Sequence, residues 1–231
     1  SHGGIKEYCI ITGRSKRVIE DHFTQDRLSL EWLEKIGKED AAEALRSFYA
    51  ILGESSIIWV NQPEPRGFGD AVSKAALFTE NEDFIVHAGD TLILSKRRNY
   101  VQSLIDMHLM KSSEVTFFVK AVKRPQLYGV IEGEDLGQGI LMVKRVVEKP
   151  SVPPSNLAIV PIYAFNPIIF KALEKTQPDE KGEKQLTDAI QALIEWNCKV
   201  YAIQLVEDED YLDIGTPETY WHTLLKLYES R

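Results

Sequence analysis

Two short acidic turns, Gly89-Asp90-Thr91 and Asp213-Ile214-Gly215-Thr216, carry the residues best suited to chemistry in this 231-residue chain. Each follows a run that reads as a buried strand, 84–88 in one case and Tyr211-Leu212 after 200–206 in the other. Ligands of open α/β sheets sit at strand ends, so carboxylates at two such ends can converge on one ligand if the fold brings them together. Two lone carboxylates suit magnesium, which keeps several waters and takes few protein ligands beside phosphate oxygens. Taken singly, each Asp is also an ordinary turn or N-cap residue, and that is the simpler account of either one alone.

Three further segments carry residues suited to a site. Gln62-Pro63-Glu64-Pro65-Arg66-Gly67-Phe68-Gly69-Asp70 links a strand to a helix. Gly67 and Gly69 let backbone approach a ligand closely, and Gln62 offers the donor and acceptor needed to read a nucleobase edge. A proline-glycine loop without a ligand has the same composition. Glu148-Lys149-Pro150 ends a strand, where Pro150 stops ladder pairing. Neighbours on a strand point to opposite faces, so Glu148 and Lys149 share a site only if the strand bends or ends there. In that case Glu148 accepts hydrogen bonds from sugar hydroxyls and Lys149 meets a phosphate; otherwise they are a solvated surface pair. Thr187 and Asp188 open a helix after Gly182, and Asp188 reads as a first-turn residue that suits the helix dipole. His22, His87, His108 and His222 do not fall at metal-ligand spacing, and neither a G-x-S-x-G nor a G-x-x-x-x-G-K-[ST] pattern occurs.

The elements that must position these residues alternate. Strands are expected at 5–12, 56–61 and 83–88, separated by helices at 15–23, 28–52 (broken at Gly37), 70–78 and 98–110. Strands then follow one another at 114–122, 128–132, 140–148 and 157–165, with a hairpin connection at 133–139. Asn166 caps a helix opened by Pro167, 185–196 is an amphipathic helix, 199–206 a strand, and Thr216-Pro217 starts a last helix to 228. That order predicts a layered α/β sheet, at least partly parallel, in one continuous domain with an antiparallel insertion.

With 27 basic and 35 acidic residues, net −8, and no block of like charge, the chain carries no nucleic-acid footprint. A polyphosphate substrate would have to be met by local cations or metal. Cys9 and Cys198 sit in apolar, strand-like runs and read as free thiols. No apolar stretch approaches a membrane span and no leader is visible at the start, so a cytoplasmic protein is expected.

The order of the segments says more than any one of them. Gln62-Pro63-x-Pro65-x-Gly67, Gly89-Asp90, Tyr128-Gly129-Val130-Ile131-Glu132, Val147-Glu148-Lys149-Pro150, Ser155-Asn156-Leu157-Ala158, Gly182-Glu183 with Gln185-Leu186-Thr187-Asp188, and Asp213-Ile214-Gly215-Thr216-Pro217 together resemble the sugar-1-phosphate nucleotidyltransferases. The N-terminal stretch, including Thr12-Gly13-Arg14 and 16–23, is most similar to the branch that takes UTP and glucose-1-phosphate. The resemblance implies a Rossmann-like three-layer α/β/α mixed sheet of the nucleotide-diphospho-sugar transferase type. It implies one domain over 1–231 with a sugar-binding insertion around 114–165, and a homo-oligomer. It also implies a magnesium-dependent transfer: the sugar phosphate attacks the α-phosphate of a nucleoside triphosphate and pyrophosphate leaves. On this resemblance Asp90 and Asp213 hold Mg2+, and Gln62 and the Gly67 backbone read the base. Gly129, Glu148 and Asn156 position the sugar, and Lys149 binds its phosphate and joins the two aspartates in catalysis.

Two departures bear on that expectation. The family carries near its N-terminus a G-x-G-T-R loop and a P-K pair that cradle the triphosphate, and nothing similar occurs here. The chain starts where the family's second strand is expected, so the first strand-loop-helix unit is expected to be missing. Thr91 stands where many members of the family place a second acidic or amide residue. A thymidylyltransferase and a non-catalytic sugar-nucleotide-binding protein therefore stand as alternatives.

Overall fold

The computed structural model describes residues 4–95, 99–207 and 209–229. The chain divides into two compact units, with the boundary between Pro65 and Arg66.

In the first unit, β-branched and apolar runs give strand β1 (Glu7–Thr12) and strand β2 (Ser56–Asn61), paired in parallel from Glu7↔Ser56 to Thr12↔Asn61. Helices α1 (Arg17–His22), α2 (Arg27–Lys35) and α3 (Glu39–Gly53) connect them. The break expected at Gly37 separates α2 from α3, where Gly37 takes a left-handed φ of 70°. Asp26 caps α2 by accepting from the Leu28 and Ser29 amides. Phe23 packs between Phe48 and Trp59, with ring centroids 6.0 and 6.2 Å away.

The second unit opens with α4 (Phe68–Ser73), two residues earlier and several shorter than the sequence suggests. Then come β3 (Phe84–His87), β4 (Thr91–Leu94), α5 (Tyr100–Lys111) and β5 (Val115–Ala121). Arg98, the expected start of α5, lies outside the described residues. A 3-10 turn at Pro125–Leu127 leads to β6 (Gly129–Asp135), β7 (Ile140–Glu148), β8 (Leu157–Phe165) and α6 (Ile168–Lys175). The chain continues with α7 (Leu186–Glu195), β9 (Val200–Gln204), β10 (Asp210–Asp213) and α8 (Pro217–Glu229). Asn166 Oδ1 accepts from the Ile168 amide at 3.1 Å, as expected of a cap, but Pro167 takes the cap position and α6 begins one residue later than expected, at Ile168.

Six strands form a mixed sheet in the order β3-β8-β5-β9-β7-β6, in which β5 and β9 are parallel and the other neighbours antiparallel. β6 also touches β8 at Val130↔Ala158. Period-two alternation splits the core into two layers. Phe117, Val119, Ile159, Tyr163 and Phe165 face α4, α6 and α7 through Val72, Ile169, Leu173, Leu186 and Ile190. Phe118, Val160, Ile162 and Ile203 face Leu104 of α5 and Ile93 of β4. Helices therefore cover both faces, the three-layer mixed arrangement the sequence leads one to expect.

Strand β4 is absent from the sequence reading. Four residues directly after a turn give little periodicity, and β4 exists by pairing antiparallel with β10, over a hundred residues later. That two-stranded ribbon, Asp210↔Leu94 to Asp213↔Thr91, positions both acidic turns.

Candidate functional site

The ribbon ends where the two aspartates meet. Asp213 closes β10 opposite Thr91, and Asp90 lies one residue earlier, in the turn between β3 and β4. The Ile214 amide donates to the Asp90 carbonyl at 2.9 Å, tying one acidic turn to the other. Thr216 pairs with Thr219 at the start of α8, and Thr223 Oγ1 donates to the Asp213 carbonyl at 3.2 Å, so the last helix anchors the turn. A Cβ on Gly215 would stand 3.0 Å from Asp213 Oδ1 and 3.4 Å from Asp90 Oδ2. Glycine at 215 thus keeps open the space between two carboxylates. Asp213 Oδ1 accepts from the Gly215 amide at 2.6 Å, and hard carboxylate oxygens of this kind suit a magnesium ion. Among the described residues no third His, Cys, Asp or Glu joins them in a metal-holding group; a magnesium ion held there would take its further ligands from water and phosphate oxygens.

The second half of the site comes from the ends of β6 and β7. Strand β7 finishes at Glu148, and Lys149 takes a left-handed φ of 38° while its amide donates to the Tyr128 carbonyl at 3.1 Å. This is the bend that lets adjacent residues face one site. Glu148 Oε2 accepts from Thr187 Oγ1 at 3.1 Å, and Glu148 Oε1 lies 3.3 Å from Lys149 Nζ. Gly129 pairs with Glu148 across the ladder, and a Cβ there would come within 2.9 Å of Thr187 Cγ2 and 3.0 Å of Glu148 Oε2. Asp90, Asp213, Gly129, Glu148 and Lys149 all line one cavity of about 370 Å³.

Tyr128, Tyr163 and Tyr211 complete the wall of that cavity. Burial, then the neighbouring Glu148, raises the Tyr163 phenol far above its ordinary value. Burial does the same for Tyr211, with Asp213, Tyr128 and Asp90 adding to it. Both phenols stay neutral hydrogen-bonding groups in a site rich in carboxylates. Sequence reasoning passed over Tyr163 and Tyr211. A period-two count back from Asp213 puts Tyr211 on the same face, a signal already present in the strand reading of Tyr211-Leu212.

Other expected residues sit differently. Gly67 takes a φ of 95°, and a Cβ there would lie 2.7 Å from the Lys184 carbonyl oxygen. The Gly69 amide donates to that same carbonyl at 2.9 Å, and the Lys184 amide to the Arg66 carbonyl at 2.8 Å. The glycines here admit the 183–185 backbone, which brings Phe68, Glu183 and Gln185 to the cavity wall. Asp179 braces that loop: its Oδ1 accepts from the Lys181 and Glu183 amides at 2.8 and 2.9 Å, and its Oδ2 from Gln185 Nε2 at 2.9 Å. Asn156 is exposed and outside the cavity lining, with its carbonyl accepting from the Val122 amide at 3.0 Å. Gln62 belongs to the first unit, where its amide extends the ladder to the Thr12 carbonyl at 2.7 Å. Asp188 lies in the first turn of α7, and partial desolvation, with Glu148 and Asp179 nearby, lifts its carboxyl above the ordinary value.

The sequence pattern of the Nucleotidyl transferase family matches residues 1–230. The UTP–glucose-1-phosphate uridylyltransferase of Pseudomonas aeruginosa is 35% identical over 191 residues, which cover 81% of this chain and 67% of that protein. A solved UDP-glucose pyrophosphorylase complexed with UDP-glucose superposes with a TM-score of 0.87 at 28% identity, over 100% of this chain and 83% of that one. A UTP-bound UGPase from Acinetobacter baumannii gives a TM-score of 0.84 at 27% identity, over 98% of this chain and 78% of that one. The chain belongs to the nucleotidyl transferase family.

Proposed function

We propose that this chain transfers a uridylyl group from UTP to glucose-1-phosphate, giving UDP-glucose and pyrophosphate. The observation that carries the reading is the convergence of Asp90 and Asp213 with Glu148 and Lys149 on one cavity. One pair suits a metal-bound polyphosphate and the other a phosphorylated sugar. The names of the relatives supply the nucleotide and the sugar.

In this reading Lys149 turns from Glu148 to the phosphate of glucose-1-phosphate and aims one of its oxygens at the α-phosphorus. A new P–O bond forms there as the bond to the β-phosphate bridging oxygen breaks, and pyrophosphate leaves with that electron pair. Such a transfer asks the protein mainly for alignment and charge neutralisation. Asp90 and Asp213 would hold Mg2+, whose contribution is to neutralise phosphate charge. Glu148, oriented by Thr187, accepts from sugar hydroxyls, and Gly129 leaves room for the sugar beside the backbone. Gln62 and the Gly67 backbone are proposed to read the base and Asn156 to contact the sugar, as the family resemblance implies. The two units then act as parts of one nucleotidyltransferase domain. A cytoplasmic setting and a homo-oligomer belong to the same proposal; among the described residues no helix is long and apolar enough to cross a membrane.

Pyrophosphate release measured with glucose-1-phosphate and UTP, dTTP, ATP or GTP in turn tests the assignment. UTP should be the best donor. Uracil and thymine share a pairing edge and differ by a methyl, so dTTP should trail by about 10- to 200-fold. A preference for ATP or GTP, or no release with any of the four, contradicts the reading.

A further inference from the structure

Glu209 is a carboxylate with only 1% of its surface exposed. Its Oε1 accepts from Ser95 Oγ at 3.0 Å and its Oε2 from the Val206 amide at 3.1 Å. Ser95 is the residue after β4, and Glu209 is the residue before β10. The carboxylate therefore joins the two strands at the end of the ribbon opposite Asp90 and Asp213. From the other side, Lys120 Nζ on β5 donates to the carbonyls of Val206 and Glu209 at 2.6 and 2.8 Å. The Leu205 amide donates to the Val119 carbonyl at 2.8 Å, fixing the approach to the loop.

Ribbon register decides whether the two aspartates face each other. A slip by one residue would turn Asp213 to the opposite face and remove it from Asp90. An isolated two-stranded ribbon is marginal, so its register needs an outside anchor. Burying a carboxylate is unfavourable unless its bonds are made, and here they tie the residue that precedes β10 to Ser95, the residue that follows β4, and to the Val206 amide of the loop between β9 and β10.

We propose that Glu209 is a positioning residue for the metal site: by pinning β10 to β4 at Ser95, it sets the approach of the Asp213 carboxylate to that of Asp90. It touches no substrate. The proposal rests on the reading of Asp90 and Asp213 as magnesium ligands.

The test titrates Mn2+ into the full chain, followed by electron paramagnetic resonance, for wild type, Glu209→Ala, Glu209→Gln and Asp213→Asn. Glu209→Ala should weaken Mn2+ binding about tenfold, the low end for loss of a group that orients a metal ligand. In turnover, it should raise the Mg2+ needed for half-maximal rate while the rate at saturating Mg2+ recovers. Glu209→Gln keeps an acceptor for the Val206 amide and a polar partner for Ser95, and should restore most of the affinity. A folded Glu209→Ala protein with wild-type Mn2+ affinity overturns the proposal. Should Glu209→Ala fail to fold, Ser95→Ala removes the hydroxyl that donates to Glu209 Oε1: a smaller loss of affinity supports the proposal, and none overturns it. Asp213→Asn separates the two levels. If Mn2+ binding survives that change, the ligand reading itself falls; if it is lost there but intact in Glu209→Ala, the role of Glu209 alone falls.

Discussion

Lys149 Nζ lies 3.3 Å from Oε1 of Glu148, its neighbour in sequence, because the backbone turns left-handed at Lys149 with a φ of 38°. In a continuing strand the two side chains would point to opposite faces. The turn brings an acceptor and a cation to the same cavity wall, and it places a residue with a Cβ where glycine is favoured.

The strained turn predicts a split between stability and activity. Lys149→Gly should be more stable than Lys149→Ala by about 0.5–1 kcal/mol, since only alanine retains the left-handed penalty. Both should lose about 10- to 100-fold in kcat/KM for glucose-1-phosphate, the range for a charge-assisted contact of about 1.5–3 kcal/mol. Urea denaturation beside steady-state kinetics checks both halves. Equal stability of the two variants would mean that the turn carries no strain.

Gly129→Ala places a methyl within 3.0 Å of both Thr187 Cγ2 and Glu148 Oε2. Glu148 must shift, and its bond to Thr187 with it. The expected result is a KM for glucose-1-phosphate raised by about tenfold, the order of one lost hydrogen bond, with the KM for UTP unchanged. A larger effect on UTP would assign this wall to the nucleotide.

His108 should make the stability of the second unit pH-dependent. It is 3% exposed, with Nδ1 at 3.2 Å from both Thr116 Oγ1 and Ser113 Oγ. Burial holds its imidazole below the ordinary value near 6.5, and the pull of Asp83 and Glu114 the other way does not offset it. The unfolded chain then binds the proton first as pH falls, so stability is lost as pH drops below about 6.5 toward the lower folded value. Urea midpoints between about pH 7.5 and pH 5.5 should fall further for wild type than for His108→Gln. Parallel losses would remove His108 as the cause.

What the sequence could disclose was local. The bounds of β2, β7 and β8 followed from apolar runs and flanking turns, and the Asn166 bond at the start of α6 from Asn166-Pro167. The candidate residues stood out through order and residue type, yet their convergence depends on β4, four residues that pair only with a distant strand. Gly67 and Gly69 advertised close approach, but the group they admit is the Lys184 backbone, which local sequence cannot name. Glu209 was invisible for a similar reason. In an acidic run, a carboxylate reads as solvated until Ser95 and the Val206 amide are known to meet it.

The account rests on Asp90 and Asp213 as the metal side of a uridylyl transfer. Pyrophosphate release from UTP and glucose-1-phosphate, measured against Mg2+ concentration for wild type, Asp213→Asn and Asp188→Asn, tests it most directly. Asp213→Asn should lose about 100- to 1,000-fold, the several kcal/mol of charge stabilisation at stake, and should demand more Mg2+. Asp188→Asn, a first-turn helix residue, should stay near wild type. Equal and mild effects of the two substitutions would contradict the account and leave the acidic turns a structural role.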